Sequence, residues 1–213
     1  VSMTQADQAE LQGWFPDRFL YRTDRDGFDY VYSVDDLADL KGRKFQKKRN
    51  HVNRFRAEHP RFELQTLTHD NFSAAQHMVS DWYRARMQAD PAGDYMLESI
   101  ALSRAFRHYE GLKMESAVLL EDGEILALTM GSRLWSDTFD IHFEKAREDV
   151  EGAYAAVNCE FARYLRLKYP ELRYLNREDD VGLAGLRKAK LSYNPHHMVE
   201  KFWAYLAEDF HGD

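Results

Sequence analysis

The chain has 213 residues, 44% of them apolar, 14% aromatic and 31% charged, with a formal net charge of −7. That composition can bury a core, and with 11 Gly and 5 Pro it excludes collagenous, linker-like and prion-like classes. No run of about 18 apolar residues occurs, the first residues lack a signal peptide's basic and apolar regions, and the single cysteine, Cys159, excludes an internal disulfide or a Cys-based zinc site. A cytoplasmic globular protein is expected, and a start at Val1 instead of Met suggests a truncated or tagged chain.

Residues 19–23 and 28–34 read as short strands of a hairpin turning at Asp26-Gly27. Ser33, with Asp36 three residues on, opens a helix that Gly42 ends, and 43–59 reads as a second helix anchored by Phe45, Val52 and Phe55. After a strand at 62–67, Asp70 is placed to cap a helix whose apolar stripe is Phe72, Ala75, Val79, Trp82 and Tyr83. A further helix, 94–109, carries Leu97, Ile100, Leu102, Ala105 and Phe106 and stops at Gly111. The period then changes from that of a helix to that of strands. Residues 114–120, 125–135 and 138–144 form an antiparallel meander, with Phe139, Ile141 and Phe143 alternating with Asp140, His142 and Glu144. Helix 152–168 has a small-residue face, Gly152, Ala155, Cys159 and Ala162, suited to close approach to a sheet. A strand at 172–176, a helix capped by Asp179 or Asp180 and running through 185–191, and a final strand at 196–206 complete the chain.

Between 41 and 56 lie eight Lys or Arg (Lys41, Arg43, Lys44, Lys47, Lys48, Arg49, Arg54, Arg56) and no acid, so this stretch is +8 and the remainder carries −15. A local basic helix in an acidic chain suits one phosphate-bearing ligand better than polyanions in general. It equally suits a solvated face that neutralises the aspartates preceding it, Asp35, Asp36 and Asp39.

The order β, α, α, β, β, β, α, β, α, β from Phe62 onward is that of N-acetyltransferase-like (GNAT) acyltransferases. Phe28-Asp29-Tyr30-Val31-Tyr32, the run from Lys41 to Phe55, Glu151-Gly152-Ala153-Tyr154, the run from Tyr174 to Asp179, and the run from Gly185 to Tyr193 followed by Pro195 together resemble a bacterial family of unassigned function. That family is similar to the C-terminal domain of phosphatidylglycerol lysyltransferase. The resemblance covers nearly everything after Phe15. It implies an α+β, GNAT-like (acyl-CoA N-acyltransferase) fold, a mixed, mostly antiparallel sheet flanked by helices, preceded by a remnant of a second GNAT-like half. On that reading 1–39 is the remnant and 40–213 the GNAT-like domain with its basic helix. The activity implied is transfer of an acyl or aminoacyl group from a phosphate-bearing donor, aminoacyl-tRNA or acyl-CoA, to an amine or hydroxyl. The alternative is a non-catalytic protein whose basic helix holds tRNA, a nucleotide or a protein partner. The basic run also resembles the Lys-rich segment of peptidoglycan peptide-bridge transferases.

Acetyltransferases that use CoA carry a Gln/Arg-x-x-Gly-x-Gly/Ala turn, whose backbone N–H groups grip pyrophosphate at a helix start. Here residues 147–153 put Glu148, Asp149 and Glu151 in that place, where carboxylates compete for the helix dipole. The CoA turn is degenerate, and phosphate binding passes to Lys44, Lys47, Lys48 and Arg49, with Arg187 and Lys188 as further candidates. Glu144 and Glu151 are candidate proton acceptors from an acceptor amine, and Arg177 and Lys190 candidate stabilisers of the oxyanion. Each has a structural counterpart: a solvent-facing acid, a strand-exit salt bridge, a cation at a helix C-terminus. Cys159 reads as core, and no metal-ligand spacing, P-loop or G-x-S-x-G elbow occurs.

Overall fold

The computed structural model describes residues 2–207. Its elements are β1 (Ser2–Thr4), α1 (Gln5–Trp14), β2 (Phe19–Thr23), β3 (Asp29–Ser33), α2 (Val34–Asp39), α3 (Gln46–Glu58), β4 (Glu63–Thr66), α4 (His69–Ala89), α5 (Met96–Arg107), α6 (Tyr109–Leu112), β5 (Glu115–Glu121), β6 (Glu124–Arg133), β7 (Thr138–Ala146), α7 (Ala153–Lys168), β8 (Tyr174–Asn176), α8 (Ala184–Leu191), β9 (His197–Val199) and β10 (Lys201–Leu206). The chain divides into two compact units, one of residues 2–32 with 176–207, the other Ser33–Leu175.

In the unit Ser33–Leu175 β5 pairs with β6 and β6 with β7 across their turns, and β4 joins the edge at β5, all antiparallel. One face is covered by α4 and α5, whose Ala75, Met78, Val79, Leu102 and Phe106 pack with Val118, Leu128 and Met130. On the other, Ala153, Ala156 and Val157 of α7 pack with Leu119, Leu126 and Ala127. The small-residue face of α7 does a different job from the one its spacing suggests. Ala155 and Cys159 meet Leu40, Phe45 and Val52, so the close approach is to the basic segment and not to the sheet. Helix α4 also starts earlier than Asp70 implies: Thr68 is its N-cap, in a reciprocal box with Asn71.

Strict alternation fails in β7, and the failure matters for the site. Met130 pairs with Phe143 and Gly131 with Ile141, leaving His142 as the extra residue of a β-bulge. Neighbouring residues of β6 face opposite sides, so Ile141 and Phe143 do too. Phe139 stacks edge-on against Phe161 of α7, whereas Phe143 joins the α4 and α5 side. Gly131 permits this crossing, because a Cβ there would lie 2.1 Å from the Asp140 carbonyl oxygen.

The second unit corrects two expectations from sequence. β2 and β3 form no hairpin: β2 pairs with β10, and β3 with β9. The stretch 196–206 is likewise two strands, interrupted at Glu200, and β10 lies between β1 and β2 in a separate three-stranded sheet. The residues before 19 form β1 and α1, with Thr4 and Asp7 in a capping box that the sequence reading passed over. Helix α8 has Leu183 at its N-cap and no side-chain cap, so neither Asp179 nor Asp180 serves there.

Candidate functional site

The basic segment is held to its unit through Phe45, Val52 and Phe55, all at most 2% exposed. Much of its charge has local work. Lys44 reaches Asp36 at 2.8 Å, Lys41 reaches Asp39 at 2.8 Å, Arg56 meets Glu160, and Arg54 bridges Glu58 and Glu151 at 2.8 and 2.6 Å. Arg49 donates to the carbonyls of Leu40 and Gly42, satisfying acceptors left where α2 ends. Arg43 and Lys47 are exposed and, among the described residues, meet no carboxylate; Lys48 is half-buried.

At the start of α7 the three acids turn away from the helix. Asp149 takes both arms of Arg147, Glu148 pairs with Arg86 at 3.1 Å, and Glu151 pairs with Arg54. The helix start therefore has Gly152 as N-cap and no side-chain cap, which corrects the expectation that carboxylates occupy its dipole. Gly152 sits at φ +83, and a Cβ there would come within 2.5 Å of the His51 carbonyl oxygen of α3.

The bulge decides which way each of the two adjacent residues at the end of β7 faces. Glu144, half-buried, accepts from Asn158 of α7 at 3.4 Å. Lys145 turns to α4 and α5: its ammonium lies 2.7 Å from Glu98 and 4.1 Å from the centre of the Trp82 ring, with Tyr83 at 5.3 Å. Its side chain is 8% exposed, and burial pushes its pKa down against the pull of Glu98. Tyr83 also lines a cleft of about 350 Å³ between α4 and α5, shared with Gln76, Ser80, Met87, Ser99 and Ser103. A buried ammonium paired with a carboxylate beside a cleft offers a fixed positive charge and a proton-exchanging pair. Sequence reasoning missed Lys145 and Glu98. The available signal was a lysine in a strand, two residues after Phe143 and next to Ala146, but only the bulge decides which way it faces. His142, the bulged residue, lies 2.8 Å from the Ser132 hydroxyl.

The other unit holds the remaining candidates. Asp180 is fully buried and accepts a two-armed fork from Arg187 at 2.7 and 2.8 Å, the Tyr30 hydroxyl, and the Gly182 N–H at 3.0 Å. The Arg187 guanidinium, above all, holds the Asp180 carboxyl well below the usual carboxylate range. Arg187 also reaches Asp26, so its fork is occupied inside the protein. Lys190 donates to the carbonyls of Arg177, Glu178 and Asp179, and burial pushes its pKa down to about 8. Arg177 lies over the rings of Tyr32 and Tyr193, at 5.8 and 5.1 Å. Lys188 is exposed on α8. Of the residues singled out from sequence, then, Arg177, Arg187, Lys188 and Lys190 share one unit, and Glu144, Glu151 and the basic segment share the other.

A family model described as phosphatidylglycerol lysyltransferase, C-terminal, matches residues 2–205. The chain belongs to that family. It is 39% identical to a conserved protein of unknown function from Bacteroides thetaiotaomicron, whose crystal structure superposes with a TM-score of 0.86 over 95% of this chain and 67% of that one. The structure of L-PGS from Bacillus licheniformis matches with a TM-score of 0.69 at 17% identity, covering 98% of this chain and 67% of that one, a likeness of fold. An uncharacterized protein of Mycoplasmoides gallisepticum is 25% identical over 179 residues, 82% of this chain and 54% of that protein. The chain thus spans about half the length of that curated relative. The fold is α+β and GNAT-like. Family and fold together relate the chain to transferases. No helix among its described residues is long and apolar enough to cross a membrane.

Proposed function

We propose that this lysyltransferase-family chain transfers an acyl or aminoacyl group from a phosphate-bearing donor, with aminoacyl-tRNA favoured over acyl-CoA, to an amine or hydroxyl acceptor. The family match running from residue 2 to 205 carries this reading. In the reaction the acceptor N–H or O–H loses its proton as the new bond to the acyl carbon forms, and the tRNA 3′-oxygen leaves with the bonding pair. Glu144 suits the proton-accepting role better than Glu151, which is exposed and held by Arg54. Lys145, on the opposite face of the sheet, acts indirectly: its contacts with Glu98 and Trp82 fix the strand end that carries Glu144. Lys190 acts at one remove: its three bonds to the 177–179 carbonyls position the segment that carries Arg177. Exposed Arg43 and Lys47, with Lys48, form the phosphate-facing part of the basic segment, while Arg187 is engaged within its unit and Lys188 remains a peripheral candidate. Aminoacyl-tRNA is favoured because the start of α7 lacks the glycine-rich pyrophosphate turn.

The test is native purification followed by mass spectrometry of whatever co-purifies, then transfer assays with lysyl-tRNA and acetyl-CoA as donors. Transfer from charged tRNA supports the proposal. Steeply salt-dependent tRNA binding without transfer would instead favour the non-catalytic alternative. Two variants sharpen the outcome. Lys44→Ala/Lys47→Ala/Lys48→Ala should weaken tRNA binding and flatten its salt dependence by about one unit of slope per lost phosphate contact. Its thermal midpoint should hardly move, because the Lys44–Asp36 pair is exposed and such pairs contribute about 1 kcal/mol or less. Lys145→Met should fold with a loss of about 1–2 kcal/mol, since the stranded Glu98 is 41% exposed and can be hydrated, yet should lower transfer measurably. Undiminished transfer by Lys145→Met would remove the lysine from the chemistry.

A further inference from the structure

Ser132 of β6 and His142 of β7 form a pair that the transferase reading does not use. The Ser132 hydroxyl lies 2.8 Å from Nε2 of His142, and Nδ1 of the same ring lies 3.7 Å from Oδ2 of Asp140. All three belong to the unit Ser33–Leu175. The backbone brings them together: Ser132 stands directly opposite Asp140 across the strand pair, and the β-bulge inserts His142 beside them. Bulges that re-aim a side chain in this way are over-represented next to active sites. A carboxylate beside Nδ1 keeps the ring proton on that nitrogen, so the Nε2 lone pair accepts the Ser132 O–H. Nucleophile, base and orienting carboxylate thus follow one another in the order that activates a hydroxyl. Exposure suits the roles. Ser132 is half-buried, and the His142 and Asp140 side chains are 29% and 13% exposed. A substrate can reach the hydroxyl, while the carboxylate is shielded enough from water for its charge to be felt at the ring.

We propose that Ser132, His142 and Asp140 form a nucleophilic centre that cleaves carboxylic oxoesters through an acyl-serine. Oγ of Ser132 bonds to the ester carbonyl carbon as its proton passes to Nε2 of His142. The bond from that carbon to the alcohol oxygen then breaks, and the leaving oxygen keeps the electron pair and takes the proton from Nε2. Water next attacks the acyl carbon and gives a proton to Nε2. The bond to Oγ breaks with its pair on Oγ, which recovers that proton. One carboxylic acid and one alcohol result, and water is the co-reactant. Asp140 is a positioning residue: it acts through the ring, fixing the tautomer and balancing the imidazolium that forms twice per turnover. At 3.7 Å it does so by charge, without a hydrogen bond, which makes His142 a modest acid and base. An alkoxide leaving group needs no more than that, whereas the amine of an amide does, so oxoesters are the substrate class. This goes beyond the transferase reading. Cleavage of a small ester needs neither tRNA nor an acceptor, so either activity can fail without the other.

Two probes of the whole chain test it: p-nitrophenyl acetate as substrate, and a fluorophosphonate, which reacts with activated serines, followed by peptide mapping. Nitrophenolate should be released faster than in buffer alone, and the phosphonyl group should be found on Ser132. Ser132→Ala, which removes one oxygen atom from a half-buried strand position, should abolish both signals. His142→Gln should slow both about hundredfold. Asp140→Asn should slow both about tenfold. It should also move the acid limb of the rate profile to lower pH, because without the carboxylate the imidazolium forms less readily. Asp140→Glu should restore part of the rate and return the limb toward its original position, which a merely structural role would not explain. The parent chain's labelling needs no variant, so a variant that fails to fold leaves the test intact. No labelling of the parent, labelling at another residue in place of Ser132, or a Ser132→Ala chain that cleaves the ester at the parent's rate would each overturn the proposal.

Discussion

Replacing Asp180 by Ala should destabilise its unit by about 3–5 kcal/mol, the largest loss expected of any single substitution considered. Asp180 is fully buried, and four donors converge on it: both arms of Arg187, the Tyr30 hydroxyl and the Gly182 N–H. Truncation leaves the Arg187 guanidinium with Asp26 as its remaining carboxylate, and takes the acceptor from the hydroxyl of a phenol that is itself 0% exposed. The effect has a sign in pH. The Asp180 pKa is depressed from its ordinary 3.8, first by the Arg187 bonds, so its contribution is fully present above that value. It is lost as pH falls through the lower folded pKa. Urea unfolding at neutral pH and along an acid series would measure both, and the variant should lose less stability than the parent on acidification. A neutral-pH change below about 1 kcal/mol would mean that the network is dispensable.

Gly131→Ala should cost about 3 kcal/mol. A Cβ at this position would lie 2.1 Å from a backbone oxygen, Asp140 O, and 2.5 Å from the Phe139 ring, so two paired strands must part. The consequence reaches the site. The bulge beside Gly131 sends Glu144 toward α7 and Lys145 toward Trp82, and a strand forced apart there disturbs the Lys145–Trp82 contact, which spans 4.1 Å. Thermal unfolding reads the stability, and the fluorescence of the native state, which includes Trp82, reads the geometry. A variant with the parent's midpoint would show that β6 and β7 absorb the methyl without separating.

Most helices and the meander were legible in the sequence because their signals are local. The apolar stripe of α4 and the burial of Phe45, Val52 and Phe55 follow from side-chain periodicity that any packed neighbour would exploit. The same holds for α7 as a helix with a small-residue face. What that face touches was not legible, since small residues admit a helix as readily as a sheet, and here they admit α3.

The chain by itself determined most of the segments that become helix or strand between residues 19 and 191, that residues 41–56 are basic, and, through its motifs, the family to which it belongs. Tertiary structure alone decided strand partners and charge partners. The turn at Asp26-Gly27 permits a hairpin, yet β2 pairs with β10 and β3 with β9, segments more than 160 residues away. Likewise the sequence shows eight positive residues but not that Asp36, Asp39, Glu151 and Glu160 come to meet four of them. Pairing energies of that kind depend on distance and desolvation, which no spacing along the chain encodes. Lys145 illustrates the point: one bulged residue reverses the face of everything after it, and with it the difference between a solvated lysine and one buried against Glu98 and Trp82.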